Sequence, residues 1–271
     1  MPELPEVETT KRGIEPHLLG QKILHTHIYQ PKLRWPMDAD LAQKLHHQAA
    51  SGIERRAKYI LLHFAHGSLI LHLGMSGSLR LVERGTPRMK HDHLECELAS
   101  GLNLRLHDPR RFGAVLWTEN APSQHPLLKN LGIEPLDEAF TGDMLHSLLK
   151  SRKTAIKPAL MNAHIVVGIG NIYANEALFL SGIDPRRPCM SLNLADYQRL
   201  VVHIKNLLQL SIQQGGTTLR DFISPEGRPG YFQQTLNVYG RSGETCRVCN
   251  TPIEHITQAQ RRSFHCPQCQ H

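Results

Sequence analysis

Residues 61–83 read LLHFAHGSLILHLGMSGSLRLVE, and this run decides the fold predicted for the N-terminal half. Its short apolar stretches, punctuated by glycines, are typical of antiparallel β-strands joined by tight turns. The same succession of short apolar stretches and glycines extends from Lys22 to about Thr118. An Asp-Pro pair within this region adds another break. We therefore expect a sandwich or barrel of antiparallel strands over this region.

Helices are predicted on both sides of the β-rich region. Glu3–Leu19 has the amphipathic period of a helix and ends at Gly20. Residues 121–141 are rich in proline and read as a linker that contains one short helix. Beyond the linker, the apolar residues recur with the period of a helix. The predicted helices are Asp143–Lys150, Thr154–Asn162, Asn171–Leu180 and Ala195–Gln214.

The composition is that of a folded basic protein. Lys and Arg number 31 against 24 Asp and Glu, which gives a net charge of +7 over 271 residues. Such a surplus suits a polyanionic partner, because each neutralised phosphate releases counterions. The N-terminus lacks the pattern of a signal peptide, and no apolar run approaches the roughly 18 residues of a membrane span. We therefore expect a cytoplasmic protein without structural disulfides.

Two CxxC pairs close the chain. Cys246 and Cys249 precede Cys266 and Cys269 by 16 intervening residues, which leaves room for a β-hairpin. Four thiolates at this spacing favour one structural Zn²⁺ over two disulfides or free thiols, and metal binding would supply the folding energy of so short a segment. Cys96 and Cys189 fit no such pattern and are expected to be ordinary buried thiols.

The tip of the predicted hairpin carries polar and cationic side chains. They suit contact with phosphate, although a merely solvated tip explains them equally well. The residues expected to point outward there are Gln258, Gln260, Arg261 and Arg262.

The N-terminus offers a nucleophile. Removal of Met1 would expose the secondary amine of Pro2, and an α-amino group with a pKa of about 7.7–8 is partly unprotonated at neutral pH. Attack of such an amine on a sugar carbon forms an iminium, with Glu3 and Glu6 available as proton donors or acceptors. The alternative is structural, because proline and glutamate also favour the first turn of a helix.

Ten collinear segments resemble the bacterial formamidopyrimidine-DNA glycosylases. They are MPELPEVETT, RRAKYILL, HLGMSGSLR, KHDH, DPRRFGA, KTAIKP, VVGIGNIYANEALF, QGGTTLRDF, GYFQQTLNVYGR, and CRVCNTPI with CPQC. The resemblance implies an α+β fold: an N-terminal β-sandwich flanked by helices (1–134), a linker with a helix–two-turn–helix domain (135–236) and a four-cysteine zinc-finger β-hairpin (237–271). It also implies a monomer that removes oxidised purines from damaged double-stranded DNA as a glycosylase and AP lyase, without a membrane association.

Catalytic roles follow from the same resemblance. Pro2 would be the Schiff-base nucleophile and Glu3 the proton donor, while Glu6 supports the site near the damaged base. Lys58 in RRAKY would contact phosphate and assist β-elimination. Arg261 matches an arginine that assists δ-elimination, although Arg262 stands where the family often has a small residue.

Further residues would contact DNA. Met75, Arg110 and Phe112 resemble the wedge that fills the space left by the flipped lesion, with core packing as the alternative for Met75 and Phe112. Arg110 would also face the orphaned cytosine. The phosphate contacts implied are His91, Arg111, Asn171 and Arg152, of which Arg152 replaces a family lysine, and residues 217–231 resemble a mobile lid.

Three rival functions differ in what they explain. An enzyme of the related endonuclease VIII type would share the nucleophile but remove oxidised pyrimidines, whereas LPEVE, the complete wedge and TTLRDF favour purines. A zinc-ribbon DNA-binding protein without activity would form no covalent adduct with damaged DNA. A purely structural protein–protein module accounts for the zinc hairpin but for none of the N-terminal residues.

Overall fold

The structure is a computed structural model that describes residues 1–216 and 236–271. The described residues fall into two units, Met1–Asn130 with 214–216, and Leu131–Gln213 with 236–271. The three domains expected from the resemblance, divided at residues 134 and 236, stay a prediction. The expected lid, residues 217–231, lies outside the described residues.

Two four-stranded antiparallel sheets build the first unit, as the alternating apolar runs predicted. Leu62, Leu69 and Leu71 from one sheet share a single buried core with Leu94 and Leu106 from the other, so the sheets form a sandwich. One sheet has the order β1 (Ile23–Ile28), β6 (Asp92–Leu98), β7 (Leu102–His107), β5 (Ser78–Glu83), and the other has the order β2 (Gly52–Arg56), β3 (Tyr59–Phe64), β4 (Gly67–His72), β8 (Ala114–Thr118).

Helix α1, Leu4–Leu18, packs Val7, Ile14 and Leu18 into the core of the sandwich. It is one residue shorter at each end than predicted, because Glu3 and Leu19 cap the helix with non-helical backbone. A short second helix, α2, spans Leu41–Leu45. The chain thus begins at a capped helix end that lies on the sandwich.

Helices dominate the second unit, in the order α3 (Gly142–Leu149), α4 (Ile156–Leu160), α5 (Asn171–Leu180) and α6 (Leu194–Gln213). Helix α4 is shorter than the predicted Thr154–Asn162, since Thr154 and Ala155 pair instead with residues 188 and 189. The short helix expected in the linker is a 3₁₀ turn at Pro122–Gln124. No helix within the described residues is both long and apolar enough to cross a membrane.

A β-hairpin ends the second unit, with β9 at Glu254–Gln258 and β10 at Arg261–His265. Ala259 and Gln260 form its two-residue turn with φ of 46° and 61°, the positive values that the right-handed twist of a tight hairpin requires. Phe264 and Ile253 pack against Phe179 of α5. The hairpin is therefore attached to the helical residues through a small apolar core.

Candidate functional site

Pro2, Glu3 and Glu6 lie together at the buried start of α1, where Pro2 precedes the N-cap Glu3 and Glu6 is in the first turn. Pro2 is buried, and Glu3 and Glu6 are 2% and 0% exposed. The backbone N–H of Glu3 donates to Oε2 of Glu6 at 2.8 Å, as one half of a capping box. Gly216, with φ of +83°, lies so close that a Cβ there would be 3.2 Å from the Glu6 side chain. Pro2 thus adjoins Glu3 in the chain, and the side chains of Glu3 and Glu6 are both shielded from water.

Lys58 stands in the two-residue turn that joins β2 to β3. Ala57 takes a positive φ of 55° there although it is buried, which fixes the direction of the turn. Arg55 donates to Glu8 of α1 at 3.0 Å and to the carbonyl oxygen of Ala57 at 3.0 Å. The half-buried Lys58 is therefore held in a defined place relative to the helix that carries Pro2.

His72, which the sequence analysis did not single out, lies beside Lys58. It is the cross-strand partner of Tyr59, with ring centroids 4.8 Å apart. The backbone N–H of Gly74 donates to its Nδ1 at 3.0 Å, so the neutral ring keeps its proton on Nε2. Burial, and next the charges of Lys58 and Arg34, lower the pKa of His72 to about 4. His72 is thus a neutral hydrogen-bond donor near neutral pH.

The three residues of the expected wedge lie where β4 ends. A Cβ on Gly74 would be 2.4 Å from the Phe112 carbonyl carbon, so the backbone next to Met75 touches the loop that carries Phe112. Phe112 is 46% exposed, and the Arg110 guanidinium lies 4.9 Å from its ring centroid. Core packing is therefore the wrong interpretation for Phe112. Met75 is half-buried, so for this residue core packing stays an alternative to the wedge.

Asp108 fixes the shape of this loop. Its buried carboxylate accepts from Ser76 Oγ at 3.2 Å and from the Gly113 N–H at 2.8 Å. Arg111 adopts a positive φ of 56° and is exposed beside Arg110. The carbonyl oxygen of His91 accepts from the Asp108 N–H at 3.0 Å. The structure therefore brings His91 next to the loop of Arg110 and Arg111.

In the second unit, Asn171 and the hairpin are joined by hydrogen bonds. Asn171 is the first residue of α5, and Gly170 is the N-cap of that helix. The Asn171 side chain donates to the Arg262 carbonyl oxygen at 3.1 Å. Lys157 Nζ donates to the same oxygen at 3.1 Å and to Ser263 Oγ at 2.7 Å.

Lys157 is 1% exposed, and the sequence analysis gave it no role. It lines a pocket with the exposed Arg261. Gln258 does not point outward as expected, because it donates to the Pro185 carbonyl oxygen at 3.2 Å and accepts from Ser263 at 2.7 Å. At the hairpin tip, hydrogen bonds thus hold Gln258 in place, whereas Arg261 and Arg262 are exposed.

Arg152 lies outside this group. It is exposed after α3, and its Nε donates to the Leu148 carbonyl oxygen at 3.1 Å. Within the described ranges no hydrogen bond or ion pair joins it to Asn171 or Arg261. Any cooperation among these residues would therefore depend on a shared ligand.

The four cysteines form a cluster with the geometry of a metal site. Their Sγ atoms lie within 4.8 Å of one another, with separations of 3.9 Å for Cys246–Cys269 and 3.4 Å for Cys249–Cys266. Tetrahedral zinc with Zn–S bonds of ~2.3 Å requires separations of ~3.8 Å, whereas a disulfide requires ~2.0 Å. The donor set fits zinc and excludes the disulfide alternative for these pairs.

The remaining two cysteines are buried thiols, as expected. Cys96 is 2% and Cys189 0% exposed. Burial raises the pKa of Cys96 to about 12. Neither thiol therefore has the thiolate character that metal binding or nucleophilic chemistry requires.

Comparison with known proteins identifies relatives along the whole chain. Residues 1–115 match the family model of the formamidopyrimidine-DNA glycosylase N-terminal domain, and residues 131–223 match that of its H2TH domain. Formamidopyrimidine-DNA glycosylases of Pseudomonas paraeruginosa and Methylococcus capsulatus are 56% and 53% identical over 270 residues, covering 100% of each chain.

Solved structures agree with the sequence relatives. The MutM (Fpg) protein of Thermus thermophilus matches with a TM-score of 0.89 at 34% identity, over 99% of this chain and 98% of the other. The Lactococcus lactis Fpg, in complex with DNA that contains an abasic site, matches with a TM-score of 0.91 at 34% identity over 99% of each chain. A MutM complex with carbocyclic 8-oxo-G DNA matches with a TM-score of 0.91 at 35% identity over 99% of each chain. With both domain models matched in order and relatives more than half identical along its length, the chain belongs to the formamidopyrimidine-DNA glycosylase family.

Proposed function

We propose that this protein is a bifunctional DNA glycosylase and AP lyase that excises oxidised purines from duplex DNA. The observation that carries the proposal is the group of buried residues at the start of α1, Pro2, Glu3 and Glu6. Relatives crystallised with abasic-site and 8-oxo-G DNA support the choice of substrate. Such a substrate places the reaction in the cytoplasm, with the bacterial chromosome.

The proposed reaction begins after removal of Met1. The Pro2 nitrogen forms a bond to C1′ as the bond from C1′ to the purine breaks, and the leaving base takes up the proton that the nitrogen loses. Glu3 then donates a proton to O4′, so that the sugar ring opens and the C1′–nitrogen bond becomes an iminium. Loss of a 2′ proton expels the 3′ phosphate, and loss of the 4′ proton expels the 5′ phosphate. Water then hydrolyses the iminium, which releases the sugar fragment and frees the Pro2 nitrogen.

The other side chains are assigned by charge and exposure. Lys58 and His72 present an ammonium group and a neutral N–H beside each other, which suits backbone phosphate. In the second unit, Asn171 and Arg261 would bind phosphate, with Lys157 positioning the strand that carries Arg261. The further phosphate contacts proposed are His91, Arg111 and Arg152.

The four cysteines would hold one structural Zn²⁺, which supplies folding energy to the hairpin and takes no part in bond breaking. Met75, Arg110 and Phe112 would enter the duplex when the lesion is flipped out. The exposure of Phe112 supports this role, because an apolar ring at the surface otherwise gains no burial.

Borohydride trapping on a duplex with an 8-oxoguanine:cytosine pair tests the mechanism. We expect the wild-type protein to form a covalent adduct with the DNA, and Pro2→Gly to weaken the adduct by about 100-fold or more, because the cyclic secondary amine forms the iminium. Pro16→Ala, an exposed proline of the same helix, is the control and should trap like wild type. Equal trapping by Pro2→Gly would overturn the assignment, and faster excision of thymine glycol would favour the endonuclease VIII type.

Recognition of the opposite base gives a separate prediction. Arg110→Ala should reduce the preference for cytosine over adenine opposite the lesion by about tenfold, since one good contact to a base edge contributes about 1–3 kcal/mol. Excision rates on duplexes that differ only in that base measure the effect. Arg111→Ala is the matched neighbour and should lower both rates alike; an unchanged ratio in Arg110→Ala would refute the assignment.

A further inference from the structure

The short loop after β1 presents an arginine to solvent between two anchored residues. Leu33 and Met37 are buried in the core of the sandwich, 6% and 7% exposed. Lys32 and Pro36 pair across the loop, so its ends are held together. Arg34 is exposed near the tip of this loop. Its backbone position is therefore set by the core although its side chain is on the surface.

Arg34 is tied to the strand end that carries His72. The Arg34 N–H donates to the Gly113 carbonyl oxygen at 3.1 Å. Gly113 in turn lies against β4, where a Cβ on it would be 2.8 Å from the His72 carbonyl oxygen. The Arg34 guanidinium lies 4.5 Å from the ring centroid of Trp35, a contact that restricts its rotamers. A cation with restricted rotamers thus stands beside the end of β4, where Gly113 touches His72.

Arg34 makes no ion pair within the described part of the chain, and its charge acts with that of Lys58 in lowering the pKa of His72. Burial raises the pKa of Tyr59, and the charge of Arg34 acts in the opposite direction. With its backbone contact to Gly113, Arg34 therefore adds a second cation to the surroundings of Lys58 and of the neutral His72 ring. Such an arrangement suits the binding of an anion.

We propose that Arg34 binds a backbone phosphate of the damaged DNA strand, as the third member of a phosphate-binding group with Lys58 and His72. This inference rests on the proposed function, and it assigns Arg34 to binding and not to bond breaking. The planar guanidinium can grip two phosphate oxygens at once, and its contact with Trp35 lowers the entropy lost on binding. The contact is independent of sequence and of the lesion.

Salt-dependent binding tests the proposal. The probe is a duplex with a tetrahydrofuran abasic analogue, and fluorescence anisotropy gives the Kd over about 50–200 mM KCl. We expect Arg34→Gln to reduce the slope of log K against log salt by about 0.9, which is about an eightfold loss at 0.1 M. Arg34→Lys should restore most of the slope. The loss should be equal for undamaged duplex, since a phosphate contact does not read bases.

Lys22→Gln is the charge-matched control. Lys22 is exposed just before β1, at the opposite end of that strand from Arg34, and its loss should leave the slope unchanged. A wild-type slope in Arg34→Gln, with an unchanged Tm, would overturn the inference. Because wild-type trapping by borohydride is measured separately, failure of this phosphate contact is distinguishable from failure of the proposed enzyme chemistry.

Discussion

Cys246→Ser is expected to lose zinc, to unfold the hairpin and to reduce cleavage of 8-oxoguanine DNA by about 100-fold or more. Structural zinc contributes an apparent ~10–16 kcal/mol to the folding of small four-ligand modules. The apolar core of the hairpin is small, with Val238, Ile253 and Phe264 as its main members, so it cannot replace that contribution. Arg261 would then lose its fixed position, and loss of one such charge contact in a transition state costs about 10²–10³ in rate.

Metal analysis, near-ultraviolet circular dichroism and strand cleavage together check this prediction. Cys189→Ala is the control, because Cys189 is buried in the same unit but outside the cluster. It should keep one zinc per chain and most of the activity. Full cleavage by a zinc-free Cys246→Ser protein would show that the hairpin folds and acts without metal.

Glu176→Ala is expected to lower the free energy of unfolding of the second unit by about 3–5 kcal/mol. Glu176 of α5 is 1% exposed, and its carboxylate accepts four hydrogen bonds. The donors are the backbone N–H groups of Asn237, Val238 and Tyr239 and the side chain of Asn237, at 2.8–3.0 Å. Alanine would remove the carboxylate that accepts from three backbone N–H groups, of which that of Val238 is buried.

Urea unfolding measures this loss, and two further variants make it specific. Glu176→Gln keeps one acceptor oxygen and should lie between wild type and alanine. Glu244→Ala removes an exposed carboxylate paired with Arg241, which should cost less than about 1 kcal/mol. A loss below about 1 kcal/mol in Glu176→Ala would mean that residues 237–239 are held by other contacts.

Local patterns were enough to predict most of the fold. The apolar alternation of residues 61–83 indicated the strands, and the helix Asn171–Leu180 has the predicted bounds. The prediction for α4 was too long because Thr154 and Ala155, whose sequence suits a helix, pair with a distant loop. That pairing depends on tertiary contacts, which periodicity does not record.

The residues of the candidate site also divide into those that the sequence indicated and those that only tertiary contacts show. Pro2, Glu3 and Glu6 are close together in the chain at the start of α1, and the cysteines carry their spacing in the sequence, so both groups could be proposed from the sequence. His72 and Lys157 were missed, because a histidine in an apolar strand and a lysine in a short helix read as ordinary residues. Only the packing of strand on strand, and of helix on hairpin, shows what they contact.

The burial of Pro2 has a consequence for the biosynthesis of the protein. An aminopeptidase must take the first two residues into its own cleft in an extended form, yet here the second residue is enclosed as soon as α1 settles on the sandwich. The proposed use of the Pro2 nitrogen therefore requires that the initiator methionine is removed before α1 packs on the sandwich. A peptide tag fused ahead of Pro2 would leave its nitrogen as an unreactive amide, so tags belong at the other terminus.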